Sequence, residues 1–344
     1  LHIPDGYLSP ATCAVLYAAS APFWYVALRR LKRLLSTKLI PLLSVFAAFS
    51  FVVMMFNLPL PGGTTGHAVG VSIASIVLGP WASILAISIA LFIQAVFFGD
   101  GGITAFGANS FNMAVAGSLV AWFTYRAISG KCAIVSRHRV FAAGVAGYLS
   151  INVAALLTGI ELGIQPMLFR DASGAPLYAP YPLKIAIPAM MAGHLTVAGL
   201  AELILSAGLV AWLQRSHPSL LSATAPGAAV TGAQAGGFGW LAIRPLLVGL
   251  AVLMLITPLG ILAVGSAWGE WSPHDLANQA LPAGVPQGLE RLSSVWTAPF
   301  PSYSPPFLRS SSFGYLLSAA FGSGLILLAA LVVDWVFAAQ RRSG

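Results

Sequence analysis

Charge is scarce in this chain. Only 8% of its 344 residues are Asp, Glu, Lys or Arg, against roughly 25% in ordinary soluble domains. That shortage excludes a water-soluble globular protein. Cysteine is scarcer still, with two residues. Cys13 and Cys132 fall in or beside apolar runs and lie far apart, so they supply neither a disulfide framework nor a zinc-ligand spacing, and both read as small packing residues. Signature motifs are missing too. No Gly-x-x-x-x-Gly-Lys-Ser/Thr loop occurs, which excludes ATP hydrolysis by that route within this chain. No His-Glu-x-x-His occurs, which argues against a zincin-type membrane protease. No catalytic residue and no catalytic cofactor is assigned; the chain is read as a non-enzyme. The opening Leu-His-Ile-Pro-Asp-Gly lacks the basic and apolar regions of a secretory signal peptide. Residue 1 is therefore expected to be the mature N-terminus, with Leu1 arising from a non-standard start codon or from processing.

What the chain has is apolar sequence: 58% of its residues are hydrophobic and the mean hydropathy is +0.86. Apolar runs cover about 11–28, 39–59, 68–79, 81–98, 109–128, 139–162, 185–213, 241–267 and 313–338. A span takes about 20 such residues, so the expected fold is an all-α, polytopic integral membrane helical bundle of about nine transmembrane helices. The third run is short and meets the fourth at Gly79-Pro80, a pair that punctuates helices.

The formal net charge of +8 does not point to nucleic acid, because the basic residues cluster at the ends of apolar runs. Arg29, Arg30, Lys32, Arg33, Lys38, Arg126, Lys131, Arg137, Arg139, Arg215, Arg244, Arg341 and Arg342 fall on one side of the expected topology. Only Arg170, Lys184, Arg291 and Arg309 fall on the other. By the positive-inside rule the N-terminus lies outside and the C-terminus inside. Residues 216–239, rich in Ser, Ala, Gly and Thr, read as a flexible cytoplasmic linker. They divide a seven-helix domain, 1–215, from a two-helix domain, 240–344. The outer loop of the latter, about 268–312, is polar and Pro-rich and reads as an extracytoplasmic docking segment.

Two histidines share the predicted outer face. A free amine followed by His2 offers three nitrogens in one plane: the amine, the deprotonated His2 amide and the ring Nδ1. One equatorial position stays open. His67, in Pro-Gly-Gly-Thr-Thr-Gly-His-Ala-Val-Gly, can fill it from a loop whose glycines permit close backbone approach. Four planar nitrogens favour Ni(II) or Cu(II), whereas Zn(II) prefers a tetrahedral site and Mg(II) oxygen ligands. A further outer connection, residues 98–113, carries Asp100, Asn109, Ser110 and Asn112, candidates to hydrogen-bond the imidazoles and set their tautomers. Asp5 and Thr65, beside the two histidines in their motifs, join this surrounding set. An alternative reading of the same residues is a polar network that ties a re-entrant loop to the N-terminal segment. Ionisable residues inside spans are functional candidates; here they are Glu161, His194 and Glu202, the last two eight positions apart and so on similar faces of one helix.

His2-Ile3-Pro4-Asp5-Gly6-Tyr7-Leu8-Ser9-Pro10, Gly63-Thr64-Thr65-Gly66-His67, and Gly99-Asp100-Gly101-Gly102-Ile103-Thr104 with Asn109-Ser110-Phe111-Asn112-Met113 resemble the NikM/CbiM family. These are the nickel and cobalt substrate-capture subunits (S components) of energy-coupling-factor (ECF) transporters. The resemblance covers roughly residues 1–215. Pro286-Gln287-Gly288-Leu289-Glu290 is similar to the Pro-Asp-Gly-Leu-Glu motif of the two-helix NikN/CbiN accessory subunit, with Gln287 in place of Asp. The chain thus resembles a fusion of the two. The resemblance implies a subunit of an ATP-driven importer in a bacterial or archaeal cytoplasmic membrane. It implies as partners a transmembrane coupling subunit and ATPase subunits, besides membrane lipid, with no nucleic acid. It also implies metal ligation by the Leu1 amine, the His2 amide and ring, and His67. Ile3-Pro4-Asp5-Gly6 is similar to nickel-type members, whereas cobalt-type members tend to have Ile-Met-Glu-Gly; Ni(II) is the expected cargo, with Co(II) second. Two other readings stand beside it. One is a self-sufficient secondary permease, although the His-x-x-x-x-Asp-His motif of such permeases is missing. The other is a membrane metal sensor.

Overall fold

A computed structural model describes residues 1–34, 39–60, 64–224, 240–263, 266–279, 281 and 284–342. Lys38 and residues 225–239 of the expected linker lie outside the described residues. Helix α1 (Pro10–Leu34) starts where Pro10 needs no N–H partner, and the Ser9 hydroxyl accepts the Thr12 N–H at 3.0 Å. Helix α2 (Leu39–Met54) returns to a small antiparallel hairpin of β1 (Leu58–Leu60) and β2 (Thr64–Gly66), in which Leu58 pairs with Gly66. Helix α3 (Val71–Leu78) ends at Gly79, and Pro80 opens α4 (Pro80–Ile93), which continues through a π-helical turn to Phe98. Helix α5 (Phe106–Asn109) runs through a π-helical stretch, Ser110–Ala116, into α6 (Gly117–Ser129). Then come α7 (Arg137–Leu168) and α8 (Leu183–Gly193), the latter joined by another π-helical segment to α9 (Gly199–Ser216).

The C-terminal part has α10 (Trp240–Ile256), short α11 (Pro273–Ala277) and α12 (Gln287–Leu292), and the long α13 (Ser311–Arg342). Helix α7 packs against α6, α8 and α9, while α13 and α10 both lie on α2. The two parts of the chain therefore share one helical assembly. Its outward side chains include Phe123, Phe141, Ile204 and Leu331, each more than half exposed, as lipid-facing positions require.

The chain is an all-α, multi-pass membrane protein. Among the described residues, six segments are long and apolar enough to cross: Pro10–Leu31, Pro80–Phe98, Arg137–Leu168, Leu183–Ser216, Arg244–Leu262 and Ser311–Val332. This is fewer than the nine apolar runs. The other three runs form shorter helices: α2 has 16 residues, α3 has 8 and is ended by the turn at Gly79 with φ 80°, and 109–128 is divided between a π-helical stretch and the 13-residue α6. Chain direction sets two ends apart. One gathers residues 1–9, the hairpin, Gly99–Ala105, the α7–α8 connection and residues 266–310. The other gathers Arg29, Arg30, Arg126, Lys131, Arg137, Arg139 and Arg215.

Candidate metal centre

The N-terminal segment enters the bundle because its backbone is hydrogen-bonded at almost every step. Asn109 Oδ1 accepts the Ile3 N–H at 2.8 Å, and its Nδ2 donates to the Ile3 carbonyl at 3.1 Å. The Gly102 N–H donates to the same carbonyl at 2.8 Å. The Asp5 carboxylate accepts from the N–H groups of Ile103 at 3.2 Å and Thr104 at 2.7 Å, and from the Thr104 hydroxyl. Farther on, the Ser9 N–H donates to Gln165 Oε1 at 3.0 Å. A Cβ at position 102 would collide with the backbone of Pro4 and Asp5, so the segment lies this close only because residue 102 is glycine. Leu1 and Ile3 are buried, and they carry His2 inward between them.

His2 and His67 are 2% and 4% exposed, and His2 Nδ1 lies 3.2 Å from His67 Nε2. The partners of the other two nitrogens fix the tautomers. His2 Nε2 faces Gln94 Oε1 at 3.2 Å, and His67 Nδ1 faces the Ala68 carbonyl at 3.0 Å. Each of those nitrogens faces an acceptor and so carries a hydrogen. The facing atoms, His2 Nδ1 and His67 Nε2, are thereby left with lone pairs directed at one another. Asp100 Oδ1 adds a third acceptor 3.0 Å from His2 Nδ1. His2 Nδ1 thus faces two other electron-rich atoms, which repel it unless a cation, a proton or a metal ion, lies between them; among the described residues no three His, Cys, Asp or Glu side chains by themselves form a metal-ligand cluster.

Electrostatics agree with this geometry. Burial, the N-terminal ammonium and His2 together lower the His67 pKa well below 6.5, so at neutral pH the ring is neutral and able to ligate. Burial alone would raise the Asp100 carboxyl, but the charge and hydrogen bond of His2, His67 and the Tyr303 hydroxyl outweigh it and hold Asp100 well below the ordinary carboxylate range. The Leu1 amine is paired with Glu270 Oε1 at 3.2 Å. Beside the site is a cavity of about 280 Å³, lined among others by Thr65, His67, Asp100, Glu270 and Tyr303.

The structure brings Leu1, His2, His67 and Asp100 together. The remaining candidates from the sequence stand around them in different ways. Asp5 and Asn109 hold backbone of the N-terminal segment and its neighbouring loop rather than an imidazole. Thr65 is buried in β2 and lines the cavity beside His67. Ser110 is buried with its hydroxyl unpartnered among the described residues. Asn112 Nδ2 turns into the bundle, 2.7 Å from Glu161 Oε2 and 3.2 Å from the Thr158 hydroxyl. His194 donates from Nδ1 to the Met190 carbonyl at 2.7 Å, and its Nε2 is buried without a partner among the described residues. The Glu202 carboxylate accepts the N–H groups of Val69 and Gly70 at 2.7 and 2.9 Å, which anchors the loop two residues beyond His67. Three site residues escaped the sequence reading: Gln94, Glu270 and Tyr303. A lone amide in the apolar run 81–98 was a usable signal for Gln94. Nothing local marks the other two.

Comparison with known proteins adds the lineage. Residues 2–220 match the family described as the cobalt uptake substrate-specific transmembrane region, CbiM, and residues 243–339 match the PDGLE domain. The chain belongs to the CbiM family. It is 51% identical over its whole length, and that of the relative, to the fused nickel transport protein NikMN of Rhodobacter capsulatus. It is 33% identical to the cobalt transport protein CbiM of Geobacter sulfurreducens, over 80% of this chain and 75% of that one. A crystal structure of a truncated transition metal transporter, 49% identical, superposes with a TM-score of 0.59, covering 63% of this chain and all of the other. A second transition metal transporter structure is 50% identical with the same TM-score, over 62% of this chain and 93% of its own. The CbiM match and the PDGLE match in one chain make it a fused member of the family, a nickel or cobalt transport protein of the membrane.

Proposed function

We propose that this chain is the substrate-specific membrane subunit of an ATP-driven importer of the ECF type. It captures Ni(II), with Co(II) as the weaker cargo, at an outward-facing N-terminal site and passes it inward with a transmembrane coupling subunit and ATPase subunits. The ligands are the residue 1 amine, the His2 amide nitrogen, His2 Nδ1 and His67 Nε2. The observation that carries this reading is the 3.2 Å approach of two imidazole nitrogens, each on a ring whose other nitrogen faces an acceptor. Two side-chain nitrogens leave room for two from the main chain, and a planar nitrogen set suits Ni(II) ahead of Co(II) in the ordinary affinity order. The 51% identity to a fused nickel transport protein supports the same preference.

The end carrying the site faces outward and the C-terminus lies inside, across the cytoplasmic membrane of a bacterium or archaeon. The concentration of Arg and Lys at the opposite end supports that orientation. Residues 1–215 form the capture domain, and 240–344 the accessory domain. Calorimetric titration of Ni(II) tests the reading, using protein whose residue 1 amine is confirmed free by intact mass. His2→Ala, His67→Ala and a form extended by one N-terminal residue should each lose binding. Undiminished binding in the extended form would refute the amine as a ligand.

A further inference from the structure

The C-terminal part reaches over the metal site, and one of its residues is built into the contacts of His2. Tyr303 is buried, and its hydroxyl donates to Asp100 Oδ2. The Tyr303 hydroxyl in turn accepts from Gln94 Nε2 at 2.8 Å, and Gln94 Nε2 also lies 3.4 Å from Asp100 Oδ2. Gln94 Oε1 holds Nε2 of the His2 ring at 3.2 Å, and Asp100 Oδ1 lies 3.0 Å from Nδ1, beside the face the ring turns to His67. A single phenol thus ties together both groups that orient one imidazole.

The backbone supplies an independent observation. Ser302 and Tyr303 have φ of 51° and 60°, and among the described residues they alone are non-glycine residues in the left-handed region. Two consecutive left-handed L-residues are disfavoured and persist only where surrounding structure imposes them; such outliers cluster at functional sites. What imposes them here is visible. The Tyr303 ring stacks on Phe98 with centroids 4.9 Å apart, and the Tyr303 carbonyl accepts from the Ser318 hydroxyl at 2.9 Å. The strained turn delivers the hydroxyl to Asp100 from a separate part of the chain.

We infer that Tyr303 is a positioning residue of the capture site, through which the accessory domain sets the orientation of His2 and so the affinity for the metal ion. The inference rests on the capture-site reading above. Tyr303→Phe keeps the ring, its stacking and the turn, and removes only the hydroxyl. Asp100 Oδ2 then loses its tyrosine donor, and the Gln94 amide loses an acceptor. The two side chains beside the His2 ring are then tied only to each other, through Gln94 Nε2 and Asp100 Oδ2 at 3.4 Å, and hold the ring less firmly.

The test is Ni(II) titration of the full chain with nickel chloride, beside His67→Ala and Trp296→Phe. The last removes a different bond between the two parts, from the indole N–H to the Val96 carbonyl at 2.9 Å. Tyr303→Phe should weaken Ni(II) binding about 10- to 100-fold, as loss of a group supporting a ligand does, with its unfolding temperature unchanged. At saturating Ni(II), its circular dichroism in the nickel d–d region should differ from that of the parent. Trp296→Phe should retain parental affinity. If His67→Ala binds Ni(II) normally, the capture-site reading has failed and the inference falls with it. If His67→Ala loses binding while Tyr303→Phe matches the parent in affinity and spectrum, the inference alone is overturned. Equal weakening in Trp296→Phe and Tyr303→Phe also overturns it, since general interface integrity would then account for the effect.

Discussion

Replacing Asn109 by alanine removes two hydrogen bonds from the residue next to His2. The lost contacts are the 2.8 Å bond from the Ile3 N–H and the 3.1 Å bond to the Ile3 carbonyl. The carbonyl retains its bond from the Gly102 N–H, so the heavier loss falls on the buried Ile3 N–H. An orphaned buried donor costs about 1–3 kcal/mol and a further lost bond about 0.5–1.5 kcal/mol, together about 1.5–4.5 kcal/mol. Where that cost is met by reordering residues 1–5 on metal capture, Ni(II) affinity falls by about ten- to two-thousandfold. Asn109→Asp is the sharper variant: it keeps the acceptor for the N–H but turns a carboxylate oxygen toward the Ile3 carbonyl, so its loss should equal or exceed that of Asn109→Ala. Calorimetric titration of detergent-solubilised protein reads both. Folded variants that bind Ni(II) within about threefold of the parent, a difference of under about 0.7 kcal/mol, would show that the pinned segment does not govern the site.

Two further predictions concern the His67 loop. Glu202→Ala leaves the Val69 and Gly70 N–H groups without their buried acceptor, whereas Glu202→Gln retains one oxygen for them. A buried N–H left without an acceptor costs about 1–3 kcal/mol, so the alanine variant should unfold at the lower temperature and bind Ni(II) more weakly; equal stability of the two variants would contradict the anchoring role. The second prediction follows from the lowered His67 pKa. The unfolded chain takes up a proton at His67 near pH 6.5, while the folded chain resists until the pH is lower. The stability due to the buried neutral ring is therefore fully present above 6.5 and lost as the pH falls below it. The parent should lose more thermal stability than His67→Gln between about pH 7.5 and about pH 5.5. Parallel losses would mean that the ring titrates alike in both states.

The sequence alone determined the solvent of this protein and singled out two of its histidines. With so little charge and such long apolar runs, only a lipid-embedded helical bundle satisfies the backbone. Where helices stop was partly legible, because Gly79 and Pro80 act through their own φ restrictions. His2 and His67 could be singled out since histidine at those positions is chemistry that needs no neighbours to be recognised. Asn109 was legible as a polar residue near the site, but not as the group that holds Ile3; hydrogen bonds between residues 106 positions apart leave no local trace. The same holds for Glu202, which reads as an intramembrane acid and turns out to cap a loop from another helix. Tyr303 and Glu270 lie still farther away in sequence, in a segment whose composition reads only as polar and Pro-rich. Local propensity carries no information about which distant surfaces meet. Packing of the C-terminal helices on α2 decides that, and it places a tyrosine in a left-handed turn against Asp100. The two histidines that meet were thus legible in the chain, while the groups that aim their rings were decided by tertiary contact alone.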